Sequence, residues 1–170
     1  EAETALGKAL EKDSNYLPAL VKMAELMYRN MKYAGALKLA TRALSINTED
    51  GGANFIYGVI NDQLGNITDA KDGFDIASLD PAYRSAAYTS LAGIYFKENK
   101  LDRAIAYADR AMISNQYNIE ALQLRALICR SKKEADKANE TIGAILRLDP
   151  LNHFARFEKY LLEPNMANKD

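Results

Sequence analysis

Side chains able to do covalent or metal chemistry are sparse in this chain of 170 residues, which holds one histidine, His153, and one cysteine, Cys129. A lone cysteine closes no intrachain disulfide and builds no cysteine-rich zinc site, and a lone histidine supports no multi-histidine metal centre. Cys129 lies among Leu122, Ala126 and Ile128 on the inward face of its segment, a setting that predicts a buried, inert thiol. His153 follows Asn152 where a helix opens, which predicts a surface or capping role rather than acid–base work. Gly51-Gly52 is not a phosphate loop, since no Gly-Lys-Ser/Thr follows it and no strand precedes it. Asn66-Ile67-Thr68 and Asn139-Glu140-Thr141 match a glycosylation pattern that has meaning only on a secretory route. Nothing pairs a nucleophile with a base or two carboxylates in a cleft. The expectation is a protein without catalytic residues, metal or cofactor.

Composition narrows the class further. Hydrophobic residues make up 48% and charged ones 26%, the balance of a folded chain with a core. Lys plus Arg number 22 and Asp plus Glu 23, a net charge of -1, and the pI is near 6.0, so the electrostatic drive toward nucleic acid is missing. No window approaches the roughly 18 uninterrupted apolar residues of a membrane span. The opening Glu-Ala-Glu-Thr has neither the basic nor the apolar part of a signal segment. It also lacks an initiating Met, from which a piece of a longer protein is expected; cytoplasm and periplasm fit the sequence equally well.

Elements that could position a site emerge from self-similarity. Ala19, Ala53, Ala87, Ala121 and Ala155 form one column at a spacing of 34, and Ala2, Ala36, Ala70, Ala104 and Ala138 form a second. A third column holds Ala24, Gly58, Ala92 and Ala126 before yielding to Tyr160; a fourth is aliphatic, with Leu26, Ile60, Ile94, Ile128 and Leu162. Inside one unit the apolar spacing is helical, from Leu17 to Met27 and again from Ala34 to Ile46, with a polar break over Arg29 to Tyr33. Matching breaks fall at Gly65-Asn66, Glu98-Asn99-Lys100 and Ser131-Lys132-Lys133. Pro18, Pro81 and Pro150 sit at unit boundaries and Pro164 follows the last helix, so no proline interrupts one. The small columns predict crossings where paired helices approach to about 8–10 Å, with larger residues such as Phe74 and Ile142 filling the gaps.

The period of 34, the paired helices, the small-residue columns and Leu-Asp-Pro at 79–81 and 148–150 resemble the tetratricopeptide repeat (TPR) family. That resemblance implies an all-α, right-handed α-solenoid in one continuous domain. Full repeats are expected over 17–50, 51–84, 85–118 and 119–152, with 1–16 a second helix alone, 153–163 a first helix alone and 164–170 a polar tail. The string LDPLNHFARFEKYLLEP is also similar to TPR segments of large bacterial proteins that carry carbohydrate-associated β-sandwich domains. Asn54, Asn61 and Arg125 depart from apolar columns, and the 51–84 repeat is expected to be the weakest. The terminal helix, with Phe154, Phe157, Tyr160, Leu161 and Leu162, is apolar on more than one face.

Family geometry implies that first helices line a concave channel. The lining positions hold Val21, Glu25 and Tyr28; Phe55, Val59 and Asp62; Thr89, Gly93 and Phe96; Gln123, Leu127 and Arg130; and Phe154, Phe157 and Leu161. Positions that would form the family's carboxylate clamp hold Val21, Glu25, Ile56, Ala86 and Ser90, or one unit on Phe55, Val59, Ser90, Glu120 and Leu124, so no clamp is expected. The resemblance therefore implies a non-catalytic scaffold that takes a protein or peptide in an apolar groove. Phe55, Val59, Phe96 and Leu127 would be the anchors, with Glu25, Asp62 and Arg130 setting orientation. The competing expectation is a structural module that packs on neighbouring domains of a larger chain or self-associates weakly.

Overall fold

A computed structural model describes residues 2–162; the expected polar tail lies outside these residues. Among them are ten helices and no strand: α1 Ala2–Lys12, α2 Leu17–Arg29, α3 Tyr33–Ile46, α4 Gly51–Leu64, α5 Ile67–Ala77, α6 Arg84–Lys97, α7 Leu101–Ser114, α8 Ile119–Ser131, α9 Ala135–Leu148 and α10 His153–Leu162. Two compact units divide inside α6, after Ala87. In the first, each of α1 to α4 packs on the helix that follows it, and α2 also touches α4. In the second, α7 packs on α8, α8 on α9 and α9 on α10, while α8 touches α10.

The hairpin turns obey the sequence period in backbone detail. Met31, Gly65, Asn99 and Lys133, each 34 residues from the last, have φ of 58°, 81°, 57° and 61°. The next residue's N–H reaches back to the helix that has just ended, with Lys32 to Met27 O, Asn66 to Asn61 O, Lys100 to Tyr95 O and Glu134 to Cys129 O each at 2.9 Å. These are left-handed C-terminal caps of the Schellman type, which satisfy otherwise orphaned carbonyls. Only Gly65 takes the left-handed region without a Cβ penalty, so bonding and packing must hold the other three turns.

The junctions between repeats are periodic too, with one exception. Asp13, Asn47, Asn115 and Asp149 each accept a bond from the N–H two residues on, at 2.9–3.1 Å, the Asx turn that short polar side chains support. Asp50, Asn118 and Asn152 then cap α4, α8 and α10 by accepting from the N–H three residues later. Between α5 and α6 the pattern arrives one residue early. The Asx turn is at Asp80, accepting from Ala82 N at 2.9 Å, because Pro81 stands one place ahead of the position that Pro150 occupies in its own repeat. The two Leu-Asp-Pro strings are thus not in the same register. α5 stops at Ala77, and Arg84, at the position of the Asp50, Asn118 and Asn152 caps, turns back to donate to Ser78 O and Leu79 O, both at 2.9 Å.

The alanine columns are the helix crossings. Ala19, Ala53, Ala87, Ala121 and Ala155 are buried, as are Ala36, Ala70, Ala104 and Ala138, whereas Ala2 is exposed. Around them Leu20, Ile56 and Ile60 centre the first unit's core, and Leu122, Ile142 and Ile145 centre one core cluster of the second. Each such buried side chain contributes roughly 1.5–3 kcal/mol. The asparagines of the 51–84 repeat are bonded. Asn54 Nδ2 donates to Thr48 O at 2.8 Å and Asp50 O at 2.9 Å, while Asn61 Nδ2 donates to Tyr57 O at 2.9 Å and its Oδ1 accepts from Asn66 at 3.0 Å.

Candidate functional site

The first unit gathers aromatic side chains along α2 and α4. Tyr28 lies 5.6 Å from Tyr33 between ring centroids, and Phe55 lies 5.7 Å from Phe74 and 5.6 Å from Tyr83. A concavity of about 390 Å³ is bordered by Lys22, Glu25, Tyr28, Arg29, Phe55, Ile56, Val59 and Tyr83. A second, of about 210 Å³, adjoins it through Lys22 and Tyr83 and reaches Leu17, Val21, Asp50 and Asp80. Lys22 and Glu25 pair at 2.8 Å one helical turn apart, and the hydrogen bond to Glu25 holds the Lys22 ammonium above its ordinary range. The result is an apolar trough with an internally neutralised charge pair on its rim.

Four expected lining residues, Glu25, Tyr28, Phe55 and Val59, therefore meet at one concavity, and Val21 borders the adjoining one although mostly buried. Asp62 is half-buried on α4 and borders neither. In the second unit the expected residues are placed otherwise. Thr89 is only 4% exposed and accepts from Asn118 Nδ2 at 3.2 Å, so it has almost no surface to offer a ligand. Arg130 is paired within the fold: its Nε and Nη2 donate to the two oxygens of Glu158 at 2.6 and 3.3 Å. Gln123 donates to Asn152 Oδ1 at 3.5 Å, Gly93, Leu127 and Phe154 are half-buried, and Phe96 packs against the Ala92, Ala104 and Ala108 cluster. Phe157 is 59% exposed on α10, with Leu161 exposed beside it.

Beyond Lys22, Arg29 and Ile56 on the trough's border, two further residues were not among the expected ones. Tyr83 closes the trough because the early Asx turn at Asp80 carries it over α4; a Cβ on Gly52 would lie 2.8 Å from its Oη, and one on Gly51 would lie 2.5 Å from Asp80 Cβ. Gly51-Gly52 thus lets this loop settle on the start of α4. Glu158 is the other, 2% exposed and paired with Arg130. Arg125 is likewise satisfied, with Nε on Asp109 at 2.8 Å and Nη1 on Thr141 Oγ1. Cys129 is fully buried, and burial pushes its thiol up. His153 is the exposed first residue of α10, whose cap is Asn152. Among the described residues no helix is long and apolar enough to cross a membrane, and no three His, Cys, Asp or Glu side chains stand together as metal ligands.

Helix pairs at a period of 34, alanine crossings and periodic left-handed turns define the chain as a tetratricopeptide-repeat protein in fold, an all-α helical repeat of the solenoid class. Among solved structures, PilF of Pseudomonas aeruginosa superposes with a TM-score of 0.84 at 19% identity, covering 92% of this chain and 72% of that one. YrrB, described as a TPR protein with an unusual peptide-binding site, gives 0.73 at 20% identity, over 98% of this chain and 86% of that one. PilW, a type IV pilus biogenesis factor, gives 0.78 at 18% identity over 98% and 86%. No family model matches the chain. Human anaphase-promoting complex subunit 7 is 38% identical over 82 residues, which make up 48% of this chain and 14% of that protein.

Proposed function

We propose that the chain is a non-catalytic protein-interaction module that takes a peptide segment of a partner into the trough along α2 and α4. The observation that carries this reading is the 390 Å³ concavity bordered by Tyr28, Phe55, Ile56, Val59 and Tyr83. Aromatic anchors in a preformed hollow are the residue type and setting that dominate peptide and protein interfaces. Lys22, Glu25 and Arg29 on its rim would fix the direction of the bound segment. YrrB, a fold neighbour described by its peptide-binding site, supports the same class of ligand.

Panning a phage-displayed random 12-residue peptide library on the immobilised chain tests this. Peptides with an apolar or aromatic core are expected, and Val59→Glu, on the half-buried wall, should weaken each at least tenfold with helical circular dichroism unchanged. Failure to enrich any peptide, or binding indifferent to Val59→Glu and Tyr28→Ala, would overturn it.

A second reading rests on α10, where Phe157 and Tyr160 are 59% and 66% exposed and Leu151 and Leu161 are exposed near them. Contiguous apolar surface of this kind favours association with a second copy of the chain. Sedimentation should then show a concentration-dependent dimer that Phe157→Glu abolishes; a monomer at every concentration removes this reading.

A further inference from the structure

The second unit carries a ladder of tyrosines and arginines that serves neither the trough nor a core cluster alone. Tyr95 and Tyr107 are stacked, with ring centroids 5.3 Å apart and planes 12° from parallel, and Tyr88 leans on Tyr107 at 5.9 Å. Arg103 lies over Tyr95 at 5.6 Å, and Arg110 lies over Tyr107 at 5.2 Å and over Tyr88 at 6.0 Å. The rings are half-buried between α6 and α7, while both arginines are exposed.

Charge pairing on α7 makes this ladder unusual. The helix has two acids, Asp102 and Asp109, and both are engaged from α8, by Lys132 and Arg125 respectively. Neither arginine has an ion-pair partner among the described residues, and the guanidinium carbon of each lies over a tyrosine ring. A guanidinium lying on a ring still presents its N–H edge, the part that grips a carboxylate with two parallel bonds. The stacked rings hold the fork in place before a ligand arrives, which lowers the ordering cost of binding.

We propose that this strip docks an acidic, extended peptide segment of a partner protein, with Arg103 and Arg110 each taking one carboxylate and the three tyrosines forming the floor between them. Positions seven apart on a helix are separated by about 10.5 Å along its axis, and three residues of polyproline II chain, whose side chains return to the same face every third residue, span about 9 Å. The segment that fits therefore has carboxylates three residues apart, with an apolar or aromatic side chain between them to lie on the rings. The site is independent of the α2–α4 trough and uses none of its residues.

The test is fluorescence anisotropy of the whole chain with a fluorescein-labelled peptide of four Glu-Leu-Tyr triplets, beside its Gln-Leu-Tyr counterpart and a 12-nucleotide oligothymidylate. Wild type should bind the Glu peptide at least tenfold tighter than the Gln peptide and lose several-fold in affinity between 50 and 300 mM NaCl. Arg103→Gln/Arg110→Gln should lose at least tenfold, and Arg103→Lys/Arg110→Lys should recover only part, because a point charge lacks the fork. Val59→Glu in the trough should leave the Glu-over-Gln preference unchanged, because that preference is set by the two arginines and not by the apolar core that both peptides share, so failure here is distinct from failure of the trough. Equal affinity for the Glu and Gln peptides, full binding by the double Gln variant, or tighter capture of the oligonucleotide through the same arginines would overturn the proposal.

Discussion

The α4–α5 and α8–α9 hairpins are two copies of one pattern that meet their crossing in opposite ways. In α4–α5 the helices approach by deleting side chains: a Cβ on Gly73 would lie 2.8 Å from Asn54 O and 3.0 Å from Gly58 N, and one on Gly58 would lie 2.8 Å from Phe74. In α8–α9 the position matching Gly73 is Thr141, whose hydroxyl donates to Lys137 O at 2.8 Å and accepts from Arg125. One copy is closed by backbone on backbone, the other by a polar contact through a side chain. What the period keeps is which face of each helix meets its neighbour; the atoms at that contact differ, and so do the substitutions each copy tolerates.

The largest effect should come from the charged copy. Arg130→Met leaves the Glu158 carboxylate, 2% exposed, without its partner, and an unpaired buried charge typically costs about 3 kcal/mol or more. The reverse change, Glu158→Met, should cost about 1 kcal/mol at most, because the Arg130 side chain is over a third exposed and can turn to water. Urea unfolding of the two variants measures the asymmetry; equal losses would show that the pair is held by packing rather than by charge burial.

Next is the glycine crossing. Gly73→Ala forces a methyl against the backbone of α4, and overpacking of this kind costs about 2 kcal/mol. Thr141→Ala removes one hydroxyl from the other crossing and should cost about 1 kcal/mol. If the glycine variant proves the milder of the two, α4 and α5 can slide apart and the deletion is not what sets their spacing.

How far the sequence reaches can be judged from these same residues. The alanine columns, the helices and the breaks between them are legible because each is a local requirement repeated in one register, whereas the left-handed backbone at Met31, Asn99 and Lys133 is not, since none of these is glycine. Tyr83 is not, since its place depends on Pro81 standing one residue ahead of the period, a signal present in the sequence but visible only when the two Leu-Asp-Pro strings are aligned and found out of step. Glu158 reads as a solvated helix charge, and its column, Lys22, Ile56, Ser90 and Leu124, is mixed, so spacing alone does not mark the position as inward. Arg130 and Thr89 are engaged within the fold for a related reason. Spacing tells which face a residue occupies, whereas Glu158 and Asn118, each about 28 residues away in sequence, decide whether its polar atoms are already taken.

A smaller effect belongs to Asn54. Its amide donates to two carbonyls in the loop before α4, and Asn54→Ala should cost about 1 to 1.5 kcal/mol, read as a shift in the urea midpoint. Asn54→Leu, which restores the residue type of Leu20 and Leu122 in that column, should recover part of the loss by burial. A leucine variant no more stable than the alanine one would mean that the asparagine's bonds, and not the volume beneath it, hold the loop.

The smallest effect has the opposite sign and sets the two hairpins apart most directly. Gly143 lies inside α9, and a Cβ there would meet only Arg147 Nη1 at 3.6 Å, an ordinary contact with the end of a flexible side chain. Glycine in a helix interior leaves about 0.5–1 kcal/mol of stability unclaimed relative to alanine, since it has more backbone freedom to lose on folding. Gly143→Ala should therefore stabilise the chain by about that amount, while Gly73→Ala, the same chemical change in α5, destabilises it. Propensity acts equally on both helices, so the difference between the two variants, about 3 kcal/mol, isolates the steric contribution of the α4–α5 contact. Thermal and urea unfolding of both variants would measure it, and a destabilising Gly143→Ala would show that α9 is also closely approached at that face.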